Sequence, residues 1–337
     1  LSIAVSIAML ALIVAYIGPK DILDSFRRID PFIFLLACCV FAASLLCHVF
    51  RWSRIINATE YDAKIHKLFQ FLLIDKFANS FFPTAALGIA ARSWLLEREY
   101  HMPSTKGLAT IVLDYGVDIF GTFVLAVPCY FYLASELPLS LQRTFQTSLL
   151  VIGLGAALVF LLSTSELIFE RTHYGERIEK RSHPRLYRLK KNKWIQRFVE
   201  FSTSFSLILI NPRISVETIL LTFGKVILDA IRVTILFSAF DISVPFYYFI
   251  LFDSAWIFLA PLMFTPGGVG VVESGRIALY SLIPSVSPGI ATPVVFVDRI
   301  ISYYLMVLIG GAMFFYTGTS EMMDTGSDRV PTGSQDG

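Results

Sequence analysis

Apolar runs free of Asp, Glu, Lys and Arg recur along the chain, Phe32 to Phe50 and Phe145 to Thr164 among them. A helix rises about 1.5 Å per residue and the hydrocarbon core of a bilayer is about 30 Å thick, so roughly 20 such residues make a crossing. On this basis the chain is expected to span near 2–17, 32–50, 107–133, 144–164, 195–210, 214–240, 246–264 and 289–317. One such run could be the core helix of a soluble protein, but seven or eight could not all be hidden in one soluble core. The run 2–17 lacks a basic leader and a cleavage pattern, so it reads as a first span rather than a signal peptide. The weakest run is 195–210, which is short and carries Arg197 and Glu200 in its first half. It either crosses or lies flat as an amphipathic interfacial helix.

Two apolar regions are interrupted. Leu68 to Glu97 is broken by Pro83, with Gly88 beyond it and Asp75, Lys76 and Arg92 as charges. Thr265 to Pro284 opens with Thr-Pro-Gly-Gly-Val-Gly. Proline removes a backbone donor and glycine lets the chain turn. At membrane depth such breaks survive only where they are buried in protein or line a wet cavity, so both regions read as re-entrant helix pairs.

Charge placement supports this. The stretch Ser165 to Arg197 holds ten Lys and Arg against Glu166, Glu170, Glu176 and Glu179, which makes loop 165–194 cytoplasmic by the positive-inside rule. Arg51, Arg54, Lys64 and Lys67 precede the first break, and Arg92, Arg98 and Lys106 follow it. All three basic stretches share a side only if the first broken region dips in and returns. Loops 18–31 and 134–143 suit the outside.

The two halves, about 1–164 and 195–317, also echo each other. Pro83 to Gly88 followed by Ala109-Thr110-Ile111-Val112 and Asp114 parallels Pro266 to Gly270 followed by Ala291-Thr292-Pro293-Val294 and Asp298. The predicted fold is an all-α polytopic membrane protein of about eight spans and two re-entrant broken helices, arranged as an inverted repeat. In this register the second copy is inverted if 195–210 crosses, with both termini cytoplasmic, and parallel if it lies flat. Residues 1–317 form one transmembrane domain, and the polar stretch 318–337 reads as a disordered tail.

Composition agrees with a membrane location. Hydrophobic residues make up 55% of the 337, charged residues 16%, and mean hydropathy is +0.66, against about 25% charged in soluble domains. A net charge of +2 and the absence of a basic stripe outside the loops point away from nucleic acid. Cys38, Cys39, Cys47 and Cys129 lie in apolar runs and read as small lipid- or helix-facing residues. The five histidines show no zinc spacing, and no nucleotide or cofactor motif is present, so no cofactor is expected.

The candidate chemistry lies in polar groups where lipid should be, since ionisable groups there tend to face a cavity or each other. Asp114 and Asp118 share one helix face, as do Lys225, Asp229 and Arg232. Asp253 sits mid-span, and Asp298 and Arg299 lie inside the last span. Lys225, Asp229 and Arg232 form either an ion-paired stripe locking helices together or a polar wall for anionic headgroups. Arg51-Trp52 is either an interfacial anchor or part of a site. Pro266, Gly267, Gly268 and Gly270 with Glu273 form either a packing turn or a backbone-lined pocket, whose free helix-start N–H groups would suit a phosphate.

Taken together, Arg51-Trp52, Asn79, Phe82-Pro83, Gly88, Arg92, Asp118, Pro261, the run Pro266 to Glu273 and Asp298-Arg299 resemble the lysylphosphatidylglycerol synthase transmembrane, or flippase-like, family. The resemblance covers about 30 to 317, and Pro-Gly-Gly-x-Gly-x-x-Glu is its most specific part. The family pattern Glu-Arg-x-x-Asp is represented by Asp114-Tyr115-Gly116-Val117-Asp118, without the arginine. The resemblance implies two re-entrant helices facing a central cavity and movement of lipids between leaflets of the cell membrane.

The expected function is therefore translocation of an anionic phospholipid or a polyprenyl-phosphate-linked lipid. Arg51, Arg92 and Arg299 would contact phosphate. Asp118, Glu273 and Asp298 would orient those arginines or meet a cationic headgroup. Asn79 and the two breaks at Pro83 and Pro266 would shape the pocket. The alternatives are an intramembrane transferase on lipid-linked substrates, for which no catalytic motif is found, and a non-transporting membrane partner of a lipid-modifying or glycosyltransferase enzyme.

Overall fold

The computed structural model of the chain describes residues 29–81, 86–139, 141–151, 153–155, 211–259 and 265–327. Among them all regular structure is helical. The expected spans at 2–17 and 195–210, loop 165–194 and Pro83 lie outside the described residues.

Helix α1 (Pro31–Asn57) and helix α5 (Pro212–Ser238) begin by the same device. Asp30 accepts a hydrogen bond from the N–H of Phe32 at 2.8 Å, and Asn211 accepts one from Ile214 at 3.4 Å. Proline follows each cap, at a position whose N–H has no helical acceptor in any case. These two helices make the most extensive helix–helix contact of the described fold. The order of their contacts fixes their direction. Arg54 meets Glu217, Arg51 meets Thr222, Cys47 faces Gly224, Ser44 meets Asp229, and Phe41 lies under Arg232. As α1 is followed backwards α5 runs forwards, so the pair is antiparallel.

Helix α2 (Ile65–Asn79) and helix α3 (Ala86–Tyr100) pack on each other on either side of the first break. Helix α4 (Ser104–Leu133) then packs against α1, α3 and α5. The stretch 141–155 returns along α4, with Gln146 donating to the Tyr130 hydroxyl at 2.8 Å and Gly153 facing Phe123.

In the second half helix α6 (Phe246–Leu259) leads to a short 3-10 turn (Pro266–Gly268) and helix α7 (Val271–Tyr280). Helix α8 (Pro288–Arg299) continues through one π-turn (Ile300–Tyr304) into helix α9 (Leu305–Ser327). Gly310 and Gly311 let α9 lie directly on α2, where a Cβ on Gly310 would overlap the carbonyl of Leu73.

Three described stretches are long and apolar enough to cross a membrane: Pro31–Asn57, Ser104–Leu133 and Pro288–Tyr316. Helix α5 has 27 residues but carries Arg213, Glu217, Lys225, Asp229 and Arg232, and it turns several of these charges toward α1, α4 and α8. The segment expected to cross at 246–264 is helical over its described part, Phe246–Leu259, and residues 260–264 lie outside the described residues. Helix α9 is described to Ser327, and residues 328–337 of the polar stretch lie outside the described residues.

Candidate functional site

Asp114 on α4 is 1% exposed and sits among basic side chains from two other elements. Arg51 of α1 donates to it from Nε at 2.9 Å, Arg92 of α3 donates from Nη2 at 3.0 Å, and His48 Nε2 lies 3.1 Å away. Arg51 also donates to Asp118 and, at 3.1 Å, to the Thr222 hydroxyl of α5. The guanidinium of Arg92 stacks on Trp52, 3.8 Å from the ring centroid. It lies 5.7 Å over Tyr115, the residue that stands where the flippase-like pattern has arginine.

The second half repeats this arrangement. Asp298 on α8 is likewise 1% exposed. Arg232 of α5 donates to it from Nε at 2.7 Å, and Arg276 of α7 donates from Nη1 at 2.6 Å. Arg232 also donates to Asp229 at 2.7 Å, and Arg276 to Asp253 at 3.2 Å. In each half a buried aspartate beyond the break is shared by one arginine from before the break and one from after it. A carboxylate withdrawn this far from water needs such partners, because burying an unpaired charge is prohibitive.

Lys225 joins the two clusters. Its Nζ lies 3.1 Å from both oxygens of Asp118 and 4.0 Å from Asp229, whose Oδ1 accepts from the Ser44 hydroxyl at 2.8 Å. The result is one series of alternating sign: Arg92, Asp114, Arg51, Asp118, Lys225, Asp229, Arg232, Asp298, Arg276, Asp253. The pairs Arg51–Asp114 and Arg232–Asp298 beside its centre are sealed, whereas Asp118, Lys225 and Asp229 are 28%, 21% and 21% exposed, and Asp253 at the end of the series is 26% exposed.

The glycine-rich turn has a different part. Gly267, Gly268 and Gly270 have φ of 61°, 69° and 85°, a region open to glycine, and a Cβ on Gly267 would overlap the Tyr303 hydroxyl. Glu273, fully buried, accepts from the Gly270 N–H at 2.6 Å and from Arg299 Nε at 2.7 Å, while Arg299 Nη2 donates to the Gly267 carbonyl at 3.2 Å. Tyr304 donates to Glu273 at 3.2 Å, and Arg299 lies 4.1 Å over Tyr303. At the start of α7, where one of the two readings of the run placed a phosphate, the chain's own carboxylate takes the N–H of Gly270. Pro266 opens the turn. The run is a clasp that holds the second break.

A smaller clasp holds the first break. Asn79 accepts from the Gly88 N–H at 2.7 Å and donates to Asp75 at 3.1 Å. Gly88 is obligatory there, since a Cβ would overlap both side chains.

The structure therefore brings Arg51, Arg92, Asp114, Asp118, Lys225, Asp229, Arg232 and Asp298 into one network, and puts Glu273, Arg299, Pro266, Gly267, Gly268 and Gly270 in a separate clasp. Arg51 and Arg299, expected to meet phosphate, use their donors on carboxylates, on Thr222 and on the turn carbonyl. Arg276, His48 and Thr222 were not singled out from the sequence. Arg276 had a signal, because it stands as far before Asp298 as Arg92 stands before Asp114.

No group of three or more His, Cys, Asp and Glu side chains able to hold a metal occurs among the described residues. All four cysteines are free thiols. Five buried side-chain polar atoms among the described residues have no partner: Trp52 Nε1, Arg92 Nε, Thr265 Oγ1, Arg276 Nε and the Tyr280 hydroxyl. An unmet buried donor costs roughly 1–3 kcal/mol.

The sequence model of the family described as the lysylphosphatidylglycerol synthase TM region matches residues 1–310. A UPF0104 membrane protein of Methanothermobacter thermautotrophicus is 28% identical over 94% of this chain and 95% of its own length. UPF0104 membrane proteins of Pyrococcus horikoshii and Methanocaldococcus jannaschii are 22% and 26% identical, over 93% and 91% of this chain and 95% and 91% of their own.

Proposed function

Because the chain belongs to the lysylphosphatidylglycerol synthase TM region family, we propose that it moves a lipid, phospholipid or polyprenyl-linked, between the leaflets of the cell membrane. The observation that carries this reading is the half-open centre of the charge series. A charged group at mid-helix costs about 2.5–3.5 kcal/mol when it faces acyl chains, so Asp118, Lys225 and Asp229 favour water or a headgroup over lipid tails. A polar cavity beside α1, α4 and α5 would admit the headgroup while the tails stay in the bilayer.

The arrangement of the halves favours alternating access to such a cavity. One interval separates Asp30 from Asn211, Phe41 from Thr222, Arg51 from Arg232 and Ile65 from Phe246. A slightly longer common interval separates Arg92 from Arg276, Ser104 from Pro288 and Asp114 from Asp298. The extra residues fall in the second break. The repeat is thus a span, a half-helix, a break, a half-helix and a span, and its register differs from the echo of Thr110 with Thr292. The antiparallel α1 and α5 support an inverted repeat related by a two-fold axis in the membrane plane, with α2–α3 and α6–α7 as re-entrant pairs entering from opposite faces.

Loop charges agree. Arg51, Arg54, Lys64 and Lys67 surround the connection from α1 to α2. The connection from α5 to α6 carries only Asp241, and that from α7 to α8 no charge at all. The basic loop 165–194 then shares the cytoplasmic side with the start of α5.

The test is reconstitution in liposomes with headgroup-labelled lipids of several classes. Faster transbilayer movement of a phosphate-bearing lipid than in empty liposomes is expected, with Lys225→Ala slowing it at least tenfold. Equal movement with and without protein across all classes would sink the proposal.

A further inference from the structure

The two halves agree at their arginine–aspartate triads and differ at the half-open centre. The interval that relates Arg51 to Arg232 also relates Ser44 to Lys225 and His48 to Asp229. The second half therefore sets a carboxylate one turn before its arginine, and Asp229 accepts from Arg232 at 2.7 Å. The first half sets an imidazole there, and it turns to Asp114 instead, with Nε2 3.1 Å from Oδ2. Of the side chains that bond Asp114, Arg51 and Arg92 are 1% exposed and His48 is 14%. His48 also stands one turn from Ser44, whose hydroxyl donates to Asp229 at the centre. The imidazole is thus the most open member of the Asp114 cluster.

The groups around the ring decide what it can do. Asp114 accepts from Arg51 at Oδ1 and from Arg92 at Oδ2, and an ionised carboxylate only accepts. Nε2 of His48 then carries the hydrogen of their bond, which leaves the lone pair on Nδ1. No bond from a described residue reaches Nδ1. Facing the same part of α1 are Asp118 of α4, Arg51 of α1 itself and Lys225 of α5, which shares Asp118 with Arg51. Helix α2 adds the sealed Asp75, bonded by Asn79, and the half-buried Lys76. Tyr303 and Tyr304 of the π-turn are engaged by Arg299 and Glu273. The alternating series holds five cations and five anions, so it balances without the imidazole. We infer that His48 is a proton-binding site, loaded at Nδ1 from water at the half-open centre, and that the loaded site favours an anionic headgroup there. The proton comes from water on one side and returns to water on the other, while Nε2–H stays on Asp114. This deepens the translocation reading and rests on it for the coupling to transport. A proton leaves the series with one positive charge, which attracts an anion, and by linkage the anion holds the proton.

The full chain in detergent reads the proton directly. With His66, His173 and His183 replaced by glutamine, and His101, at φ 52°, by asparagine, His48 is the histidine that remains. Its ¹⁵N NMR signals should show Nε2 protonated throughout and Nδ1 taking up a proton between about pH 5 and 8. Micelles doped with phosphatidylglycerol should hold that proton to higher pH than micelles doped with phosphatidylcholine, which has no net charge. In liposomes, labelled phosphatidylglycerol should move about tenfold faster at about pH 6 than at about pH 8, because an imidazole is loaded below about 6.5 and empties above it. His48→Gln keeps a donor for Asp114 and cannot take the proton, so its ratio of the two rates should fall close to unity.

An Nδ1 that stays bare from about pH 5 to 9, or an Nε2 that is the bare nitrogen, would overturn the inference. So would a wild-type rate ratio in His48→Gln, which would move the proton to a carboxylate such as Asp253. An equal titration midpoint in the two kinds of micelle would overturn it too, since loading would then do nothing for an anion. The NMR signals are read without transport. Silent liposomes would therefore remove the translocation reading and leave the proton site standing.

Discussion

Asp114 and Asp298 show what a single carboxylate does inside this fold. Each is sealed from water and holds two arginines that reach it from separate helices, so each ties three elements together. Breaking a buried ion pair by removing one partner costs about 3–5 kcal/mol, most of it from the charge left behind. Asp114→Asn and Asp298→Asn should therefore each lower the apparent melting temperature in detergent sharply and to similar extents. Asp118→Asn should cost less, because that side chain is 28% exposed and water can solvate what it leaves. Near-equal melting of all three variants would mean that the two triads do not hold the helices.

At the scale of elements, the breaks depend on glycines at particular contacts. Gly88→Ala drives a methyl into the Asp75 carboxylate and the Asn79 amide, and should destabilise by about 1–3 kcal/mol while opening the first clasp. Gly116→Ala meets nothing within 4 Å on α4 and should be neutral or gain up to about 1 kcal/mol from helix propensity. Thermal unfolding of the two variants side by side separates a required close approach from an incidental glycine. The antiparallel contact of α1 with α5 makes its own prediction. A Cβ on Gly224 would stand 3.5 Å from the Cys47 sulfur. Gly224→Cys, with Cys38, Cys39 and Cys129 replaced by alanine, should form a disulfide on oxidation and migrate faster on a non-reducing gel. Failure to cross-link would place the two helices differently.

For the whole molecule, the inverted arrangement predicts that equivalent connections face opposite sides of the membrane. In a cysteine-free background, Asp62→Cys after α1 and Asp241→Cys after α5 should react with a membrane-impermeant maleimide from opposite faces. Reaction of both from one face would exclude the inverted arrangement.

Much of this was legible along the chain. Runs of about 20 apolar residues, broken at Pro83 and at Pro266 to Gly270, determine a helical membrane protein with two interrupted segments. The reason is that a crossing is a local requirement of length and polarity, and a break a local requirement of backbone chemistry. The charged residues of the network also stood out, because ionisable groups in apolar runs are expensive wherever they point. Only the tertiary structure decided which of them meet. Arg51, Arg92 and Lys225 could have paired with any of several carboxylates, and the choice follows from how α1, α3, α4 and α5 pack. The register of the repeat was hidden for the same reason. Short apolar stretches resemble one another at many offsets, whereas the paired triads around Asp114 and Asp298 match at one interval before the break and a slightly longer one after it. The glycine-rich run could be read from the sequence as a packing turn or as a backbone-lined pocket, and packing closes it with Glu273 and Arg299.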